Sequence, residues 1–101
     1  MGKHAITALI FDKRGRVLSV GQNDYLRSHP LQAKCAKAVG EPERIFIHAE
    51  IAALVKLRDW SKAHKIVVTR YTKDGQPANA KPCRACLHAL NLANIKNVVH
   101  T

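Results

Sequence analysis

Two apolar runs separated by a helical pattern constrain the fold more than any other feature of the sequence. KIVVTRY at 65–71 holds three consecutive branched apolar residues, which is typical of an inner strand covered on both faces. PCRACLHALNLANI at 82–95 predicts a helix that begins at a proline, and NVVHT at 97–101 predicts a short strand. Because a helix lies between them, the two strands are expected to be parallel and joined by a crossover.

The earlier part of the chain predicts two more strands and two more helices. The apolar stretches at 4–11 and 16–20 flank DKRG, a hairpin connection. PLQAKCAKAVG at 30–40 predicts a helix, since its proline suits the first position and its last glycine suits the position after the final turn. HAEIAALVKLRDW at 48–60 predicts a second helix, apolar around so much of its circumference that it should be largely buried.

The order of elements is therefore β-β-α-α-β-α-β, which predicts an α/β domain with a mixed sheet of about four strands and helices on its faces. The 101 residues correspond to a single domain over 1–101. A four-stranded sheet leaves an edge strand unpaired, which favours a homo-oligomer. The sequence contains no apolar run of about 18 residues, so it predicts no membrane span. We interpret the N-terminal stretch as a strand rather than a signal peptide.

The charge balance is strongly basic. Lys and Arg number 17 against 7 Asp and Glu, which gives a formal net charge of +10. This charge favours phosphate-bearing partners, although the same residues could simply keep a small protein soluble. They are spread along the chain and form no basic tail. Three cysteines are too few for a disulfide scaffold, and free thiols suit a reducing, cytoplasmic location.

Three residues have the chemistry and spacing of zinc ligands. Cys83 and Cys86 begin a predicted helix, where one turn would bring both sulfurs to the same side and the helix N-terminus favours the thiolate form. His48 also begins a predicted helix, so its ring can face past the helix end. Two sulfurs and one imidazole leave a fourth tetrahedral position for water, as in a catalytic zinc site. Glu50, two residues further on, could move protons between that water and a leaving group.

Other interpretations of nearby residues remain open at this point. A structural zinc would need a fourth ligand such as Cys35, but Cys35 lies on the apolar face of a predicted helix, where a cysteine behaves as a small hydrophobic residue. His88 lies two residues from Cys86 and would point elsewhere on a helix. Trp60 could stack on a base, but packing of its large ring is favoured.

The pattern HAE at 48–50 with PCRAC at 82–86 resembles the H-x-E … P-C-x-x-C signature of the cytidine and deoxycytidylate deaminase superfamily. The order of elements is similar to the three-layer cytidine-deaminase-like fold. VGQN at 20–23 resembles a Gly-x-Asn sequence at the end of the second strand in that family. SHPLQAK, AKPCRAC and NIKNVVHT are similar to compact phage-type members.

The resemblance implies a role for each residue of the site. The histidine and the two cysteines would bind Zn²⁺, and Glu50 would shuttle protons. The backbone N–H of Ala49 would support the carbonyl of the base, and Asn23 would contact the sugar, although an asparagine in GQND is also typical of a turn. Water would attack C4 of a cytosine ring, Glu50 would protonate the ring nitrogen and then the amine, and ammonia would leave uracil behind.

Three basic or imidazole side chains are further candidates for substrate contact. Arg27 and His29 lie in the loop after Asn23, where they could approach the phosphate or base of a substrate or simply cap and solvate the loop. Arg84 lies between the two cysteines and could face a substrate phosphate or water.

Two kinds of substrate agree with the sequence. A free cytosine nucleotide or nucleoside, with dCMP favoured, agrees with the basic charge and the phage-like resemblance. Cytosine in single-stranded DNA or RNA is the alternative, which the net charge also favours. The chain has only two Phe, two Tyr and one Trp, most of which we expect in the core, and this argues against a nucleic-acid groove. A zinc-stabilised module that binds nucleic acid without catalysis is a third possibility.

Overall fold

The computed structural model describes residues 6–24, 27–42 and 46–101. Over these ranges the elements follow the order β-β-α-α-β-α-β, so the predicted order is confirmed. The strands are β1 (Ile6–Phe11), β2 (Val17–Gln22), β3 (Lys65–Arg70) and β4 (Asn97–His100). The helices are α1 (Pro30–Ala38), α2 (Ala49–Lys56) and α3 (Arg84–Leu92). The first two residues of the strand predicted at 4–11 lie outside the described residues.

All three predicted helices are longer than the observed ones, and the helix predicted at 30–40 ends at Ala38. The helix predicted at 48–60 ends at Lys56, and Trp60 begins a separate 3-10 helix, because the side chain of Asp59 caps that turn by accepting from the N–H of Ser61. The Trp60 ring packs against the core, and its Nε1 donates to the carbonyl of Leu54 at 2.9 Å. The helix predicted from residue 82 begins at 84. Among the described residues, no helix is long and apolar enough to cross a bilayer.

The sheet has the strand order β2-β1-β3-β4 and is mixed, as predicted. β1 pairs antiparallel with both β2 and β3, whereas β3 pairs parallel with β4 across the α3 connection. The inner position of β3 agrees with its apolar sequence: Ile66 and Val68 are fully buried. Val67 points to the opposite face and is half-buried, so one face of this strand is sealed more completely than the other.

The core lies between the sheet and the helices. Its largest fully buried side chains are Ile10, Ile51, Leu54, Ile66, Leu90 and Val68. Helix α2 packs closely on β2 at Gly21, where an added Cβ would collide with the backbone of Ala49 and Ala53. Ser19 reinforces this contact by donating to the carbonyl of Ala53 at 2.7 Å. The close approach fixes the N-terminus of α2 against the end of β2, and the site is built there.

Candidate active site

The N-termini of α2 and α3 meet at one end of the sheet. His48 occupies the N-cap of α2 and Cys83 occupies the N-cap of α3, both with extended backbone conformations. In the part of the chain that the structure describes, neither side chain caps its own helix through a hydrogen bond. Cys86 lies one turn into α3, on the side that faces His48. The backbone N–H of His48 donates to Oε1 of the buried Gln32 at 3.3 Å, which ties this corner to α1.

The three predicted ligands converge as the sequence indicated. His48 Nδ1 lies 3.2 Å from Cys86 Sγ and 3.4 Å from Cys83 Sγ. The ligand atoms all lie within 4.8 Å of one another, and within the described ranges these residues form the only such group. Zinc bonds of about 2.0 Å to nitrogen and about 2.3 Å to sulfur separate tetrahedral ligand atoms by roughly 3.5 Å. The donor set and its spacing therefore suit zinc with one position left for another ligand.

The pKa values of the two cysteine thiols are shifted in opposite directions. A hydrogen bond from the Cys86 thiol lowers the pKa of Cys83 to about 3, and the His48 ring contributes to the same shift. The same hydrogen bond, with burial, raises the pKa of Cys86. The thiolate is the form that binds metal, so the lowered pKa of Cys83 favours its role as a ligand. Cys35 is fully buried on α1 outside this group, so the arrangement does not supply the fourth sulfur of a structural zinc site.

Glu50 lies in the first turn of α2, beside the ligands. It is 5% exposed, and burial raises the pKa of its carboxyl group. A carboxyl group removed from water in this way holds a proton more readily than one at the surface. Its position next to the metal ligands therefore suits proton transfer.

A cavity of about 430 Å³ opens over these residues. His48, Ala49, Glu50 and Cys83 form one part of its wall. The remainder includes Asn23, Asp24, Phe46, Arg70, Asn79 and Lys81. The volume is within the range of small-molecule sites, and two of the three metal ligands, His48 and Cys83, line it.

The structure separates the predicted substrate-binding residues into two groups. Ala49 and Asn23 line the cavity, and Asn23 Oδ1 accepts from the N–H of Ile6 at 2.9 Å. Three others lie outside its lining. His29 caps α1, Arg27 is largely exposed with its Nε 3.6 Å from a carboxylate oxygen of Asp24, and Arg84 is exposed in the first turn of α3.

Several cavity residues were not predicted from the sequence. Arg70 ends β3 and shares a face with the buried Ile66 and Val68 by alternation along the strand, but only the structure shows that a cavity opens at this end of the strand. Phe46 and Tyr71 are 49% and 50% exposed, so the expectation that most aromatic residues lie in the core is wrong for these two. Phe46 makes only an isolated bridge with Ser28 and lines the cavity rather than the core.

These observations define an α/β protein with a metal site of the three-ligand, catalytic zinc type. The sequence matches a family model described as the cytidine and deoxycytidylate deaminase zinc-binding region over residues 1–101. The chain therefore belongs to the cytidine and deoxycytidylate deaminase family, and the predicted resemblance is confirmed. Zinc is accordingly the metal that the group of His48, Cys83 and Cys86 accommodates. A search of curated proteins found no significant match.

Proposed function

We propose that this protein is a hydrolytic deaminase that converts cytosine to uracil in a free nucleotide or nucleoside, with dCMP as the preferred substrate. Membership of the family supports deaminase chemistry. The observation that carries the proposal is the convergence of one imidazole, two sulfurs and a buried carboxyl group at a single cavity.

The reaction exchanges an amine for a carbonyl oxygen: water adds to C4, the C4–N bond breaks, and ammonia leaves. Zinc held by His48, Cys83 and Cys86 would supply Lewis acidity that lowers the pKa of water. Glu50 accepts a proton from the attacking water and delivers it to the ring nitrogen. It then accepts the second proton from the hydroxyl group added at C4 and delivers it to the leaving amine, so that the hydroxyl oxygen becomes the carbonyl oxygen of uracil. The backbone N–H of Ala49, at the first turn of α2, is one of the donors that a helix N-terminus leaves for a ligand, and it supports the base carbonyl.

The cavity supports a free nucleotide as substrate. Its volume of about 430 Å³ suits one nucleotide rather than a strand, and Asn23 lies where it can contact a sugar. Arg70 and Lys81 add positive charge to the same cavity. This combination favours a phosphorylated substrate over a neutral nucleoside.

The test is a comparison of substrates with zinc-loaded protein. Incubation with dCMP, deoxycytidine, cytidine and a single-stranded oligonucleotide with one cytosine is followed by detection of uracil products and ammonia. We expect the highest kcat/KM for dCMP. Absence of uracil product from all four compounds would refute deamination of cytosine, and a preference for the oligonucleotide would refute the choice of substrate.

A second candidate substrate is cytosine in a single-stranded polynucleotide, and one observation favours it. Phe46 is 49% exposed while lining the cavity, and Tyr71, directly after Arg70, is 50% exposed. Exposed aromatic rings beside an active site can stack on neighbouring bases. If this candidate is correct, oligonucleotide turnover exceeds dCMP turnover and falls steeply with salt concentration.

A further inference from the structure

Arg70 is a cavity residue to which the proposed chemistry gives no role. It is the last residue of β3 and pairs with Ile6 of β1. Because side chains alternate along a strand, Arg70 projects from the same face as the buried Ile66 and Val68. That face carries the helices, and the Arg70 side chain is half-buried there and lines the cavity.

The guanidinium group of Arg70 lacks acceptors. Its Nε is buried and has no hydrogen-bond partner among the described residues. Its Nη1 donates to the carbonyl of Asn79 at 3.4 Å, close to the limit for a hydrogen bond. In the described part of the chain no carboxylate forms an ion pair with it. The described residues therefore leave most of the hydrogen-bonding capacity of this guanidinium group unused, and a ligand in the cavity can use it.

The backbone around Arg70 is held firmly. Its N–H donates to Thr101 Oγ1 at 3.1 Å, and Thr101 Oγ1 also donates to the carbonyl of Ala78 at 2.6 Å. These bonds join the end of β3 to the loop before α3. The guanidinium group is therefore presented to the cavity from a fixed backbone position, which favours selective binding.

The charges around Arg70 favour an anion. Lys81 also lines the cavity, and its backbone N–H donates to Asn79 Oδ1 at 3.1 Å. Asn79 is the residue whose carbonyl accepts from Arg70. Two acids line the same cavity. A carboxylate oxygen of Asp24 lies 3.6 Å from Nε of Arg27, and Glu50 is the buried carboxyl group beside the metal ligands.

We propose that Arg70, assisted by Lys81, binds the phosphate monoester of a nucleotide and makes the enzyme discriminate dCMP from deoxycytidine. This inference rests on the proposed function. The planar guanidinium group offers parallel N–H donors whose spacing matches two phosphate oxygens. The contact is remote from C4, so Arg70 determines specificity and does not take part in the chemical step.

The experiment compares Arg70→Gln and Arg70→Lys with Arg58→Gln in the full, zinc-loaded chain. Arg58 is an exposed arginine beyond the C-terminus of α2, at the opposite end of that helix from His48, so it controls for net charge. We expect Arg70→Gln to lower kcat/KM for dCMP roughly 10- to 100-fold, mainly through KM, and for deoxycytidine less than about 3-fold. Arg70→Lys should recover part of the loss, and Arg58→Gln should leave both substrates unaffected.

An equal loss for dCMP and deoxycytidine would overturn the proposal, because it would indicate contact with the base or sugar. Unchanged dCMP kinetics in Arg70→Gln would overturn it as well. A loss confined to a single-stranded oligonucleotide would assign Arg70 to a phosphodiester instead and also overturn it. If Arg70→Gln fails to fold, as judged by melting temperature, Arg70→Lys and Lys81→Gln carry the test.

A binding measurement separates this proposal from the proposed function. In the Glu50→Ala background, titration calorimetry with dCMP should show binding that Arg70→Gln weakens roughly 10- to 100-fold and Arg58→Gln does not. Binding that depends on Arg70, with no ammonia released by the wild-type protein, would sink deamination and support the phosphate site. Deamination of dCMP by the wild-type protein, together with binding that does not depend on Arg70, would support the proposed function and overturn the phosphate site.

Discussion

Helices α1 and α2 both begin after a histidine, and the two rings are used in opposite ways. The ring of His29 turns back on its own helix, where Nδ1 accepts from the N–H of Leu31 at 3.0 Å. The ring of His48 lies against the sulfurs of another helix, with Nδ1 3.2 Å from Cys86 Sγ. The difference shows that an N-cap side chain stabilises its own helix or builds a site between helices, since one ring nitrogen cannot serve both.

Helix α3 resembles α2, because its N-cap residue also faces the metal site and does not cap its own helix. Among the described residues, neither His48 nor Cys83 makes a side-chain cap hydrogen bond to its own helix. A good N-cap contributes about 1 kcal/mol to stability, so both helices lack that contribution. Metal binding, which couples to folding, offsets the loss. Four sets of variants test whether each helix N-terminus serves its own helix or the metal site.

Cys83→Ser should have the largest effect, because it converts a ligand into a cap. Serine is a strong N-cap residue but a poor zinc ligand, so zinc content and deaminase activity should fall to background. The metal-free protein should gain roughly 0.5–1 kcal/mol in the free energy of unfolding. Elemental analysis, ammonia release and urea unfolding with a chelator measure the three quantities. Cys35→Ala, outside the ligand group, should keep its zinc; full zinc content in Cys83→Ser would contradict the ligand assignment.

Glu50→Ala tests whether the acidic residue of the first turn of α2 serves the helix or the reaction. Acidic residues there often stabilise a helix through its dipole, but this one is 5% exposed and faces the cavity. Activity should fall roughly 100- to 10,000-fold with zinc retained, because proton transfer is lost. Glu50→Gln, of nearly equal volume, should behave in the same way. Activity within about 10-fold of the wild type would remove Glu50 from the mechanism.

Gln32→Met tests whether the hydrogen bond from α1 to the N-cap of α2 supports the zinc site. Gln32 lies on α1, is fully buried, and accepts the backbone N–H of His48. Methionine has a similar size but a poor acceptor, so zinc affinity should fall about 10-fold and the free energy of unfolding by about 1–3 kcal/mol. Competition with a zinc chelator and urea unfolding measure these changes. Lys34→Met, on the exposed side of α1, is the matched control, and an equal loss of zinc affinity there would argue against the link.

His29→Ala should have the smallest effect on activity. Loss of the cap should lower the free energy of unfolding by about 1 kcal/mol, while KM for dCMP changes less than about 2-fold. His29→Ser supplies another capping side chain and should restore stability. A raised KM in both variants would show that the ring contacts substrate, as the sequence first suggested.

The zinc ligands and Glu50 were accessible from the sequence because their relationships are local. Cys83 and Cys86 are one helical turn apart, so helix periodicity predicts that their sulfurs lie together. His48 and Glu50 were connected with the cysteines by their chemistry and by the resemblance to the H-x-E … P-C-x-x-C signature. The order of strands and helices was accessible for the same reason. The ends of the helices were harder to predict from the sequence. Helix α2 stops at Lys56 because Asp59 caps a new 3-10 turn, and the apolar pattern continues through both elements without marking the boundary.

The lining of the cavity opposite the ligands was not accessible. Arg70 belongs to the site because β3 pairs with β1 in a register that aligns Arg70 with Ile6. Phe46 borders the cavity although its sequence surroundings are apolar, and His29 caps a helix although it lies near Asn23 in the chain.

By itself, the sequence determined the element types, the donor atoms for zinc and the acid beside them, because backbone periodicity and side-chain chemistry act over a few residues. Tertiary structure alone decided that two helix N-termini meet, that Gly21 lets α2 approach the sheet, and that an arginine faces inward. These outcomes depend on strand register and packing between residues distant in the chain, where shifting a strand by one position would turn the same side chain to the other face.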